Sequence, residues 1–78
     1  VRVYPNPNRG SFSVEVSFGQ LRDLQISVQN ALGVQLYQQN HRSVQSQVYA
    51  LDLDLSAGLY FVKVQTEEGS FSQPFVVK

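Results

Sequence analysis

The sequence predicts an all-β domain, a seven-stranded antiparallel immunoglobulin-like β-sandwich. Apolar and polar residues alternate with a period of two along most of the chain, as they do in strands that bury one face. No segment of about eleven residues carries the apolar stripe of an amphipathic helix. Turn-forming residues recur at nearly regular spacing within 78 residues, and such short strands favour a two-sheet sandwich over a closed barrel.

The opening segment combines a short strand with a proline-rich turn. Val1, Val3 and Tyr4 predict a first strand that ends at the motif Tyr4-Pro5-Asn6-Pro7-Asn8-Arg9-Gly10. Neither proline can donate a ladder hydrogen bond, and each disfavours helical geometry at the residue before it. Gly10 is free to take the positive φ that a turn into the next strand requires.

Two well-patterned strands follow this turn. In residues 11–18 apolar side chains alternate with serine and glutamate, and residues 24–29 repeat the alternation with Leu24, Ile26 and Val28 facing inward. The polar residues 19–23 predict a connection between these two strands. Asn30 then begins a compact hairpin turn in which Gly33 takes the left-handed conformation, and residues 34–37 form a fourth strand.

The next ten residues are predicted to be a mobile surface loop. Residues 38–47 are polar except for Val44, and polar connecting segments normally run over the surface. The alternation then resumes in a fifth strand. Its odd-numbered residues are assigned to the core side, and these are Tyr49, Leu51, Leu53 and Leu55.

The last two strands form a hairpin at the end of the chain. Residues 56–58 turn a sharp corner into the sixth strand, where Tyr60 is expected to bury its ring and bond its hydroxyl to nearby backbone, as corner tyrosines do in Greek-key sandwiches. Gly69 closes the hairpin into a seventh strand over residues 71–77. Pro74 interrupts that strand, which predicts an edge position or a bulge.

Composition argues against several classes of function. Six basic residues balance six acidic ones, and charged residues make up 15% of the chain, against about 25% in an average globular protein. The ten Gln and nine Ser supply a neutral polar surface, so nucleic acid is not expected as a partner. No apolar run approaches the ~20 residues of a transmembrane helix. The absence of cysteine excludes disulfides and thiol chemistry.

No catalytic, cofactor or metal site can be assembled from the sequence. His41 is the only histidine and has no cysteine or second histidine with which to share a metal. Asp52 and Asp54 project from one strand face, but Ca²⁺ needs about six oxygen ligands and a solvated face explains both carboxylates. The serines have no base in register and no nucleophile elbow. The sequence therefore predicts a protein that is not an enzyme and holds no cofactor.

Four motifs, taken in order, resemble the C-terminal sorting domain of cargo proteins of the type IX secretion system of Bacteroidetes. They are the opening motif, residues 24–34, residues 51–64 and residues 69–78. The resemblance implies an autonomous domain at the end of a larger secreted protein, and the strand pattern at Val1 also suggests that residues 1–78 are excised from a longer polypeptide. It further implies passage through the periplasm to the outer-membrane surface or the medium.

The resemblance also implies partners and a set of recognition residues. The partners are the type IX secretion machinery, a sortase-like surface protease that removes the domain, and an upstream passenger. The expected recognition or structural residues are Tyr4, Pro5, Asn6, Pro7, Gly10, Gly33, Gly58, Tyr60, Lys63, Gly69, Phe75, Val76, Val77 and Lys78. The exposed edge of the last strand, residues 71–78, is expected to be read together with the corner at Gly58 and Tyr60, because strand edges offer backbone groups that do not depend on side chains.

Two alternative hypotheses remain open at the level of sequence. The first is a carbohydrate-binding or adhesive sandwich from a surface enzyme, which exposed, coplanar aromatic rings would support. The second is a structural spacer of the fibronectin type III kind, which would tolerate changes in the opening and closing motifs.

Overall fold

The computed structural model describes all 78 residues, and they form five antiparallel strands. These are β1 (Arg2–Tyr4), β2 (Ser11–Asn30), β3 (Gln35–Asp52), β4 (Gly58–Thr66) and β5 (Gly69–Val77). The prediction of an all-β antiparallel chain is confirmed, and the prediction of seven strands is wrong. The long strands β2 and β3 each take the place of two shorter predicted strands and of the polar segment between them.

All five strands belong to one hydrogen-bonded sheet. Its order is β1-β2-β4-β5, with β3 paired to β2 alone. Along residues 11–17, β2 pairs with β1 and β3, and along residues 24–30 it pairs with β4 and β3. The predicted sandwich of two separate sheets is therefore not confirmed.

The single sheet folds over on itself because its long strands bend. A straight strand of 20 residues would span about 66 Å, yet the longest dimension of the molecule is 35 Å. The pairing register of β2 shifts between Ser17 and Leu24, where the bend falls. Phe12 lies before the bend and Phe75 lies on β5, and their ring centroids are only 4.6 Å apart. The half that contains β1 therefore faces the half that contains β4 and β5.

The residues predicted to form a mobile loop are instead the middle of β3. Val44 lies there at 9% exposure and pairs with Arg22 of β2. Next to it, Ser43 has a φ of 53° and its amide donates to Asp23 Oδ1 at 3.0 Å. Arg22 Nη1 also meets Glu68 Oε1 at 2.7 Å. The polar sequence was misleading because β3 is an edge strand, where glutamine and serine face water without cost to the core.

The hydrophobic core lies between the two facing halves. Its twelve buried residues are Phe12, Val14, Val16, Leu24, Ile26, Val28, Val44, Tyr60, Val62, Val64, Phe75 and Val77. The predicted inward faces of β2 and β4 are confirmed, and the odd-numbered residues 49–55 pack against this core as predicted. Burying a valine or a larger apolar side chain contributes about 1.5–3 kcal/mol each, so this alternation supplies most of the driving force.

The turn between β2 and β3 forms as the sequence predicts. The amide of Gly33 donates to the Asn30 carbonyl, and the Asn30 amide donates to the Val34 carbonyl, both at 3.0 Å. The Asn30 side chain accepts two further bonds, from the amides of Leu32 and Val34. Gly33 has a φ of 85°, which a residue without a Cβ adopts readily.

Candidate functional site

The opening motif lies against the end of the last strand. Asn8 and Val77 form an isolated parallel bridge, in which the Asn8 amide donates to the Val76 carbonyl at 3.0 Å and the Lys78 amide donates to the Asn8 carbonyl at 2.9 Å. The Val76 amide donates to Asn6 Oδ1 at 2.9 Å. We call residues 5–10 the strap. The first and last motifs of the chain therefore form one hydrogen-bonded unit.

The side chain of Asn8 holds the strap in its bent shape. Asn8 is only 6% exposed; its Nδ2 donates to the Pro5 carbonyl at 3.0 Å and its Oδ1 accepts from the Gly10 amide at 2.8 Å. The sequence prediction did not select Asn8 as a site residue. The signal was an asparagine two residues before a glycine, a spacing at which the asparagine side chain closes a turn on its own backbone.

Gly10 ends the strap where it meets the chain leaving β3. The Leu53 amide donates to the Gly10 carbonyl at 2.8 Å. Gly10 has a φ of 104°, and a Cβ added there would collide with the carbonyl oxygen of Leu53. Both the backbone conformation and the close approach therefore require glycine at this position.

The strap begins directly after the last residue of β1. Tyr4 pairs with Ser13 of β2, and its hydroxyl donates to Glu15 Oε1 at 3.3 Å. The Tyr4-Pro5 and Asn6-Pro7 peptide bonds are both cis, and both prolines are exposed. The strap thus connects β1, in one half of the folded sheet, to β5 in the other.

Tyr60 forms the predicted corner. Its hydroxyl donates to the Ser56 carbonyl at 2.6 Å, and the residue is 6% exposed. Its ring stacks on Phe75 with centroids 5.7 Å apart, and Phe75 in turn contacts Phe12. The expected backbone bond of this tyrosine is confirmed. The rings of Tyr60 and Phe75 are core residues and are not part of an exposed aromatic platform.

The outer edge of β5 is closed by the strap at its C-terminal end, which differs in part from the expected free edge over residues 71–78. Val76 and Lys78 direct their backbone groups toward the strap. Since bonding direction alternates along an antiparallel strand, Ser70, Ser72 and Pro74 also point away from β4. Pro74 has no N–H and removes no bond to β4, so its predicted edge position is confirmed. Only Ser70 and Ser72 keep outward amides free of the strap.

The remaining selected residues make no direct hydrogen bond to the strap. Gly58 and Gly69 begin β4 and β5, and Gly33 lies in the turn between β2 and β3. The φ of Gly58 is 159°, positive but close to fully extended, and a Cβ there would meet Tyr60 Cε1 at an ordinary 3.8 Å. Lys63 lies half-buried in the middle of β4, opposite Ser72. Gly58 pairs with Val77 of the last motif and Gly69 begins that motif, whereas none of these four residues bonds directly to the strap.

His41 and Asp52, two of the polar side chains considered for chemistry, have structural partners. The His41 ring stacks on Tyr49 with centroids 4.1 Å apart, and burial raises the pKa of the Tyr49 hydroxyl above its ordinary value. Ser11 Oγ donates to Asp52 Oδ1 at 2.8 Å. No group of three His, Cys, Asp or Glu side chains is placed to hold a metal ion, and the structure has no helix suited to crossing a membrane.

Comparison with known proteins identifies the family of the chain. No curated protein matches the chain. The family model described as the secretion system C-terminal sorting domain matches residues 2–78, which includes β1, the strap and all of β5. This is the type IX sorting family that the four motifs resemble. The chain therefore belongs to the family of secretion system C-terminal sorting domains.

Proposed function

We propose that this chain is a C-terminal sorting signal that directs an upstream passenger through the periplasm and across the outer membrane by the type IX secretion system. The family match over residues 2–78 is the observation that carries the proposal. Membership of the family implies export to the cell surface or the extracellular space. It also implies contact with the secretion machinery and fusion to a passenger.

The proposed signal is the folded domain and not a linear tail. The last strand supplies Phe75 and Val77 to the core, and its backbone is bonded to the strap some seventy residues earlier. Removing either motif therefore disturbs the other. We expect the selected residues of both motifs to act together, with Tyr4, Pro5, Asn6, Pro7 and Gly10 on one side and Phe75 to Lys78 on the other.

The domain is also proposed to be removed at the cell surface by a sortase-like protease. Cleavage before β1 would leave the hydrogen bonds between the strap and β5 in place. The sorting domain would then leave as a folded unit while the passenger is released or anchored. The sorting family is not an enzyme family, so on this proposal the passenger supplies any catalytic activity.

A secretion assay tests the function. A periplasmic reporter with a signal peptide is fused upstream of residues 1–78 and expressed in a bacterium that has the type IX system. We expect the reporter at the surface or in the medium, with a mass that lacks the 78 residues, and we expect it to stay in the periplasm of a strain without the translocon. Deleting residues 72–78 should also retain it. Full retention of the intact fusion in the periplasm would contradict the sorting function. Export of the fusion at its full mass would contradict only the proposed proteolytic removal.

A further inference from the structure

The outer face of the β4–β5 hairpin carries an exposed apolar patch that packing within the domain does not explain. Leu59 pairs with Val76, and Phe61 pairs with Pro74, so their side chains lie together on the face opposite the core. Leu59 is 45% exposed and Val76 is 40% exposed. Phe61 is half-buried and Pro74 is exposed. We call these four residues the hairpin patch.

The charges beside the hairpin patch are all positive. Along this face β4 continues to Lys63 and Gln65, β5 carries Ser70 and Ser72, and Lys78 follows directly after the end of β5. Lys63 is therefore the only charged side chain of β4 and β5, and Lys78 is the charged residue that directly follows β5. The acidic residues Glu67 and Glu68 lie beyond the ends of these strands, at the distant turn.

The outer face of the other half has a different character. Its charged residues are of both signs, since Arg2 Nη1 lies 3.7 Å from Glu15 Oε1 and Asp52 accepts a hydrogen bond from Ser11. Val48, at 47% exposure, is its only large exposed apolar side chain. The patch with positive charges alone is thus specific to the hairpin that contains the last strand.

We propose that the hairpin patch is the surface that docks on the secretion machinery, against a protein surface that is apolar at its centre and has carboxylates facing Lys63 and Lys78. This inference rests on the proposed sorting function and names its contact surface. Charge complementarity fixes the acidic character of the partner. Next to the hairpin patch the β5 edge is closed, because backbone groups at Val76 and Lys78 bind the strap, so the accessible part of the strand there is its outer face.

The same observations disfavour two other occupants. A second copy of the chain docked through the same face would set lysines against lysines, because that face has no carboxylate of its own in β4 or β5. A lipid surface would gain only about 1 kcal/mol per lysine at an anionic membrane, and stable membrane anchoring needs a larger buried apolar group than four side chains on a flat sheet.

Matched substitutions in the reporter fusion test the proposal. Val76→Ser removes an apolar side chain at the centre of the interface and Lys63→Glu sets like charges against the partner's carboxylates, so each should lower export about tenfold. Val48→Ser is the matched control, a valine of similar exposure in another edge strand, and it should leave export unchanged. Lys63→Arg should retain export because it keeps the charge. Thermal unfolding of each isolated 78-residue variant must match the parent, so that a loss of export reports contact and not folding.

A photo-crosslinking residue at position 76 identifies the occupant. A crosslink to an envelope protein, lost when carboxylates on that protein are neutralised, supports the proposal. A crosslinked dimer of the fusion, or binding to phosphatidylglycerol vesicles without a protein crosslink, would overturn it in favour of a second copy or a membrane. If the parent fusion is exported while Val76→Ser and Lys63→Glu export equally well, the surface is wrong and the sorting function stands. If the parent is not exported, the sorting function itself fails.

Discussion

Two edge strands of the folded sheet, β5 and β3, have opposite characters. At the β5 edge the strap binds Val76 and Lys78 through their backbones, and Pro74 removes an outward donor. At the other edge β3 pairs with β2 alone. The Leu53 amide donates to the Gly10 carbonyl, so the backbone groups of odd-numbered residues in this part of β3 point toward β2. Because the bonding direction alternates along an antiparallel pair, the backbone groups of Ser46 and Val48 point away from β2, toward solvent.

This difference shows which edge the fold protects. An open strand edge is a template for pairing with other chains. In β3, only a bend and polar side chains disfavour such pairing. The β5 edge is closed by a segment that is about seventy residues distant in sequence, together with a proline. The strap thus occupies backbone groups at the end of the last strand, whereas β3 leaves its outward backbone groups open.

The largest expected effect separates two glycines with positive φ, Gly10 at the end of the strap and Gly33 in the turn between β2 and β3. Gly10→Ala should lower the free energy of unfolding by about 3 kcal/mol or more, since a Cβ would collide with Leu53 and the positive φ would be strained. Gly33→Ala, whose Cβ would meet open space, should cost about 1 kcal/mol for its positive φ. Urea unfolding followed by tyrosine fluorescence measures both. Equal losses would show that the strap does not constrain Gly10.

A smaller effect is expected from substitution of Asn8, the buried asparagine of the strap. Asn8→Ala should lower the free energy of unfolding by about 2 kcal/mol, because the buried Gly10 amide loses its partner. In a domain of this size that corresponds to a fall in Tm of about 10 °C. Asn40→Ala is the control, since its side chain makes one exposed bond to Gln25; it should change stability by less than about 0.5 kcal/mol. A calorimetric Tm for Asn8→Ala equal to that of the parent would contradict the assigned role of the strap.

The smallest effect concerns local opening at the two edges. The Val76 amide, bound to Asn6 Oδ1, should exchange with deuterium more slowly than the outward amide of Val48. Asn6→Ala should accelerate exchange at Val76 about tenfold, because one exposed hydrogen bond is lost, and should leave Val48 unaffected. Amide exchange followed by NMR measures both positions. Equal protection at Val76 in the parent and the variant would mean that the Asn6 bond does not close the edge.

The sequence predicted most of the local structure and the composition of the core. Alternation identified the inward residues of β2 and β4, and local turn chemistry identified Asn30 with Gly33 and the corner at Tyr60. The sequence-based prediction was wrong at residues 38–47. This polar stretch indicated a loop, but pairing with β2 makes it part of a strand. The role of Asn8 was also missed, because its buried environment depends on contact with the distant β5.

The sequence by itself determined the all-β class, the apolar faces and the family, because period-two patterning and turn residues act over a few neighbouring positions. Only the tertiary structure decided that the strands form one bent sheet, that the strap closes the β5 edge, and that Leu59 and Phe61 share an exposed face with Val76 and Pro74. These features depend on pairing between residues far apart along the chain, and local side-chain patterns do not encode which distant strand becomes the neighbour.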